Sequence, residues 1–144
     1  MLSPAGWFFW AALSAVFAAA TAIFAKVGLE GVNADFATLI RVVLIAFLLA
    51  VFVAFTGKWS NPILLPRRTW IFLGLSGLAT GASWVCYFRA LKLGKVSQVA
   101  PVDKFSLVLA VVFGVLFLGE RPVTREWTGI ALVALGVLML AFRR

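Results

Sequence analysis

The chain has no histidine, one cysteine, one tyrosine and only five acidic residues. Without histidine there is no Ser–His–Asp triad, no imidazole ligand for zinc and no imidazole to titrate near neutral pH. With Cys86 alone, an intramolecular disulfide and a thiolate metal cluster are both excluded. Lying in an apolar run, Cys86 reads as a small packing residue. No Gly-rich phosphate loop, no nucleophile elbow and no pair of carboxylates spaced for acid–base work is present. The chain is therefore expected to be no enzyme and to carry no cofactor or metal. The amino end also lacks the basic n-region of a secretory signal, and the apolar run behind it is too long for an h-region. Ala18–Ala19–Ala20 is accordingly not expected to be a cleavage site.

What is abundant is apolar surface. Of 144 residues 64% are hydrophobic and 12% charged, and the mean hydropathy is +1.10. These values define an integral membrane protein. Five apolar runs, near residues 5–27, 35–56, 70–91, 97–118 and 126–142, are separated by short polar gaps. Each is close to the ~20 residues that carry a helix across ~30 Å of hydrocarbon. The expected fold is all-α, with five transmembrane helices in one domain over residues 1–144. Pro4 suits the first turn of helix 1 and Asp35 the amino end of helix 2. Pro101 is placed in the first turn of helix 4, where it costs little.

The net charge of +8 lies mostly in the gaps. That pattern suits lipid headgroups and topology control rather than nucleic acid. On the amino-terminal face, side A, the flanking basic residues are Lys58, Arg67, Arg68, Arg121 and Arg125. On side B they are Lys26, Arg89, Lys92, Lys95, Arg143 and Arg144. Five against six leaves the positive-inside rule almost nothing to act on. Either finer details set one orientation, or copies insert both ways and pair antiparallel. Trp7, Trp10, Trp59, Trp70 and Trp127 all fall at side A and read as an interfacial belt, while Trp84 lies deep.

Charges inside spans are expensive, about 2.5–3.5 kcal/mol on insertion scales. Asp103 and Lys104, adjacent in Val99–Ala–Pro–Val–Asp–Lys104, and Arg41 in helix 2 are such charges. Asp103 and Arg41 sit at similar depth from side B, roughly 9 Å in, so an ion pair between them is geometrically open. Asp103 is either half of that structural pair or a proton-coupling acid. Lys104 either snorkels to side B or lines a cavity, where it would attract an anionic group or reach Asp103 of a partner. Lys26 and Arg89 read as snorkelling end residues. On helix 3, Ser76, Thr80, Ser83 and Tyr87 form one stripe, and Gly74, Gly77, Gly81, Trp84 and Phe88 the next. The stripes serve packing, with hydroxyls bonded to their own backbone, or form a substrate-facing wall with Trp84 and Tyr87 as aromatic contacts. Val99, Ser106, Ala110 and Gly114 share the Asp103 face, and the fifth helix, with Gly129 and Gly136, reads as a packing or dimer-interface helix. The candidate site is Arg41, Asp103 and Lys104, with Thr80, Ser83, Trp84, Tyr87 and Ser106 around them.

Ala–Pro–Val–Asp–Lys–Phe–Ser at 100–106, Phe117–Leu–Gly–Glu–Arg121, Tyr87–Phe–Arg–Ala–Leu91 with Leu93–Gly94, Arg41, and Gly129 with Gly136 together resemble the EamA domain of the drug/metabolite transporter superfamily. The resemblance runs through nearly the whole chain and is to the single-domain, five-helix bacterial and archaeal branch. It implies a secondary transporter in the cell (inner) membrane, exporting a small polar or charged metabolite by alternating access. Most such transporters have two inverted domains; a single-domain version can recreate that architecture as an antiparallel homodimer, with its site near the midplane between repeats. The competing expectations are a non-transporting membrane interaction protein, or a half-transporter that needs a different five-helix partner.

Overall fold

In hydrocarbon, each backbone N–H and C=O needs a partner within its own segment, so apolar runs of bilayer length form helices. The computed structural model describes residues 6–141, which contain no strand. The helices are α1 (Gly6–Gly28), α2 (Ala34–Phe55), α3 (Arg67–Leu93), α4 (Val96–Asp103), α5 (Phe105–Leu118) and α6 (Thr124–Ala141). One 3-10 turn, Pro62–Leu64, lies between α2 and α3. With α4 and α5 taken as one span, five segments are long and apolar enough to cross a membrane. The architecture is all-helical and membrane-spanning. The expectation for Pro4 and the basic pair Arg143–Arg144 lie outside the described residues.

Side chains at the ends explain where the helices start and stop. The Asn33 side chain accepts from the amides of Asp35 and Phe36, at 2.9 and 3.3 Å, and caps α2. Asp35 follows in the first turn, where a negative charge meets the helix dipole. Asn61 caps the 3-10 turn by accepting from the Ile63 amide at 3.0 Å. The carboxylate of Glu126 accepts from the Val123 amide at 2.8 Å and closes the start of α6. Gly119, with φ 68°, ends α5 in the left-handed region that a residue with a Cβ resists.

Contacts divide the chain into two compact units, residues 24–92 and residues 1–23 with 93–144. In the first of these, Leu29, Ala34, Thr38, Phe88 and Leu91 are buried. In the other, α6 packs along α4 and α5, and Gly114 and Val137 are buried. Most other apolar side chains stand open, Phe8, Phe24, Phe47 and Leu78 among them. Surface of that kind is what lipid tails or partner helices cover.

The fourth span covers Val96–Leu118, close to the 97–118 expected, with one irregular residue, Lys104, inside it. Pro101 lies inside α4, beyond its first turn. Its missing N–H removes the bond to the Ser97 carbonyl. The ladder then tightens at Lys104, whose amide donates to the Pro101 carbonyl at 3.0 Å, while the Leu107 amide donates to the Lys104 carbonyl at 3.0 Å. Both are i→i−3 bonds, the 3-10 pattern, while the Lys104 amide also keeps its i→i−4 bond to the Ala100 carbonyl at 3.3 Å, so the α-helical ladder is interrupted for a single residue at Lys104.

Candidate functional site

The packed face of α2 is a single stripe. Ala34 and Thr38 are buried, and Ala37, Arg41 and Ile45 are half-buried, at helical i, i+3, i+4, i+7 spacing. Arg41 is therefore on the inward face, two turns into the helix. On α3, Trp84, Tyr87, Phe88 and Leu91 make the matching stripe. The two meet at Arg41, whose guanidinium carbon lies 4.7 Å from the Trp84 ring centroid and 5.2 Å from that of Phe88. Both distances are within cation–π range. Phe88 is only 2% exposed, and Tyr87 packs against it edge-on at 6.4 Å. The structure thus joins three of the expected residues, Arg41, Trp84 and Tyr87, and adds Phe88. Phe88 shares the stripe of Gly74, Gly77 and Gly81 in the sequence, and its spacing of four from Trp84 is the signal that pairs the two rings.

Nearer the end of the same unit the cations are tied down. Arg89 holds Asp35 through two hydrogen bonds, Nε to Oδ1 at 2.8 Å and Nη2 to Oδ2 at 2.7 Å. This corrects the snorkelling role expected for Arg89: a planar guanidinium beside a carboxylate forms a two-point pair. Lys26 donates to the Leu91 carbonyl at 2.6 Å, and Lys92 donates to the Val32 carbonyl. The Leu91 carbonyl lies in the last turn of α3, where acceptors have no intrahelical donor. The cap of α2, the end of α3 and the connection after α1 are thereby fastened together.

The hydroxyl stripe is partly self-satisfied. Thr80 Oγ1 donates to the Ser76 carbonyl at 2.8 Å, within its own helix. Thr80 and Ser83 are exposed, and Gly74, Gly77 and Gly81 have open space where a Cβ would stand.

In the other unit, Asp103 and Lys104 lie at the helix interruption. Lys104 Nζ lies 3.5 Å from Asp103 Oδ2, a loose contact with both side chains partly exposed. Ser106 is exposed one residue into α5. Arg41 and Asp103 belong to different units, and their pairing is taken up below as a proposal.

This unit also carries a groove of about 570 Å³ between α5 and α6, lined by Leu107, Ala110, Val111, Gly129, Ile130 and Val133 with Glu120 and Glu126. Glu120 and Glu126, six positions apart in the sequence, both line this groove. The amides of Gly119 and Glu120 both donate to the Gly114 carbonyl. That folds the Glu120 side chain over Gly114, with Oε2 2.6 Å from where a Cβ would be. Among the described residues no three His, Cys, Asp or Glu side chains gather in a way that would hold a metal ion.

An all-helical, five-span membrane architecture is shared with known proteins. The model of the EamA-like transporter family matches residues 5–142, and the chain belongs to that family. A Sinorhizobium sp. protein, named an uncharacterized transporter in the cobO 3′ region, is 60% identical over 94% of this chain and 96% of its own length. An uncharacterized transporter of Vibrio cholerae is 30% identical over 67% of this chain, which spans 33% of that protein. A Hamiltonella defensa protein, named a probable 4-amino-4-deoxy-L-arabinose-phosphoundecaprenol flippase subunit ArnE, is 30% identical over 59% of this chain and 75% of its length. No solved structure matches. The protein is a multi-pass membrane protein of a transporter family.

Proposed function

We propose that the chain is a secondary transporter of the cell (inner) membrane that exports a small polar or charged metabolite by alternating access. Residues 1–144 act as one transmembrane domain, and two copies form the working unit. The observation that carries this reading is Arg41 on the packed face of α2, held against Trp84 and Phe88. A cation there is costly unless a polar path passes it. The local 3-10 turn inside the fourth span supports it too, because such mid-helix turns often mark functional hinges.

Asp103 and Lys104 at that turn, with Ser106 beyond it, are the second half of the proposed site. There Asp103 either pairs with Arg41 or couples transport to a proton. Charge reversal at both Arg41 and Asp103 should restore activity lost in the single changes if they pair. If transport remains pH-dependent in Asp103→Asn, the coupling role is removed. Thr80, Ser83 and Tyr87 complete the proposed substrate wall. The tie of basic residues between the two sides permits copies in both orientations, hence an antiparallel homodimer.

A second reading has an observation of its own. A relative at 30% identity is named a flippase subunit, which favours a half-transporter needing a different five-helix partner. The two are separated by reconstituting this chain alone in liposomes loaded with a panel of labelled metabolites. Efflux from the chain alone supports the homodimer. Efflux only on adding a second five-helix protein supports the half-transporter.

A further inference from the structure

We infer that Arg41, clamped by Trp84 and Phe88, is a receptor for an anionic group, a carboxylate or a phosphate, on the molecule that the protein moves. The inference rests on the transporter reading and names the substrate class for it.

Within residues 24–92 the carboxylates are Glu30 and Asp35, and Asp35 is occupied by Arg89. Lys26 and Lys92 are satisfied by backbone carbonyls. Arg41 differs from all three of these cations. Among the described residues of its unit, no hydrogen bond or ion pair takes up its N–H groups; its neighbours are ring faces. Stacking uses the flat faces of a guanidinium and leaves its edge, with five N–H donors in one plane, to meet an oxyanion at two points. Aromatic faces also fix the plane, so less freedom is lost when the anion arrives.

Snorkelling does not account for the position. A snorkelling arginine extends beyond the end of its helix. Arg41 starts roughly 10 Å into α2, and its head lies between Trp84 and Phe88, about 13 and 7 Å from the end of α3. Phe88 is buried and Trp84 half-buried, so the clamp is part of the packed stripe. The paired Asp35–Arg89 couple is closer to the end of the unit and adds no net charge. Among the described residues of this unit, an anion would therefore meet one cation on this stripe that no carboxylate neutralises.

The test uses the full chain purified in neutral detergent, at constant ionic strength. Its thermal midpoint is measured against sodium phosphate, sodium acetate and sodium chloride, and separately against phosphatidylglycerol and phosphatidylcholine. A ligand that binds only the folded state raises the midpoint. The expected result is a saturable rise with phosphate or acetate beyond chloride. It should be abolished in Arg41→Gln, weakened at least tenfold in Arg41→Lys, and retained in Lys58→Gln. Arg41→Lys keeps the charge but loses the two-point edge, and so reads the site even if Arg41→Gln fails to fold. A rise with phosphatidylglycerol alone, lost in the same variants, supports the anion site with a lipid headgroup as its source. No anion response in the native chain, or a full response in folded Arg41→Gln, overturns the inference. An Arg41-dependent response without efflux from liposomes keeps the anion site and removes the transport reading.

Discussion

Arg41 and Arg89 show how the same residue type acquires different work from its neighbours. Arg89 meets Asp35 edge to edge in a pair whose side chains are 61% and 48% exposed. Arg41 lies against the ring faces of Trp84 and Phe88. Exposed pairs add little stability because water or headgroups screen them. Leu91, fully buried beside them, is a different case. Leu91→Ala should lower stability by about 2–5 kcal/mol, as buried leucine truncations do. Asp35→Asn should move the thermal midpoint much less. Unfolding both variants in detergent checks the ranking; a larger loss for Asp35→Asn would mean that the ion pair, not the packed stripe, holds this end together. Arg41 was legible in the sequence as a costly charge, and Trp84 as a deep tryptophan. Their contact was not, because spacing along one helix says nothing about which helix lies opposite. The Arg89–Asp35 pair was missed for the same reason, its partners being 54 positions apart.

At the scale of elements, the apolar runs announced helices because no other segment satisfies its own backbone in lipid. The interruption at Lys104 was hidden, since hydropathy continues through it and only Pro101 hints at lost hydrogen bonding. Pro101→Ala restores a donor to the Ser97 carbonyl, and a proline inside a helix costs about 3 kcal/mol or more. The variant should therefore raise the thermal midpoint. If the interruption serves the transport cycle, the variant should slow transport as well. A stabilised variant that transports at the native rate would make the interruption a packing feature only. The turn at Gly119–Glu120 was also only half legible. Pro122 signals an end in the sequence, while the return of Glu120 over Gly114 depends on two amides converging on one carbonyl.

For the whole molecule, family membership and a five-span architecture are established, while assembly and cargo are the proposals. Near-equal basic charge on the two faces predicts that single cysteines placed at Lys58 and at Lys95, in a Cys86→Ser background, are each labelled by an impermeant reagent from both sides of the membrane. Labelling of each from one side only would show a single orientation and exclude the antiparallel homodimer. The central claim, that two copies of this chain suffice to move a small charged metabolite, is tested most directly by efflux from liposomes reconstituted with this protein alone. Efflux of at least one anionic metabolite from the panel is expected, and it should be lost in Arg41→Gln. No efflux from correctly folded protein would contradict the claim.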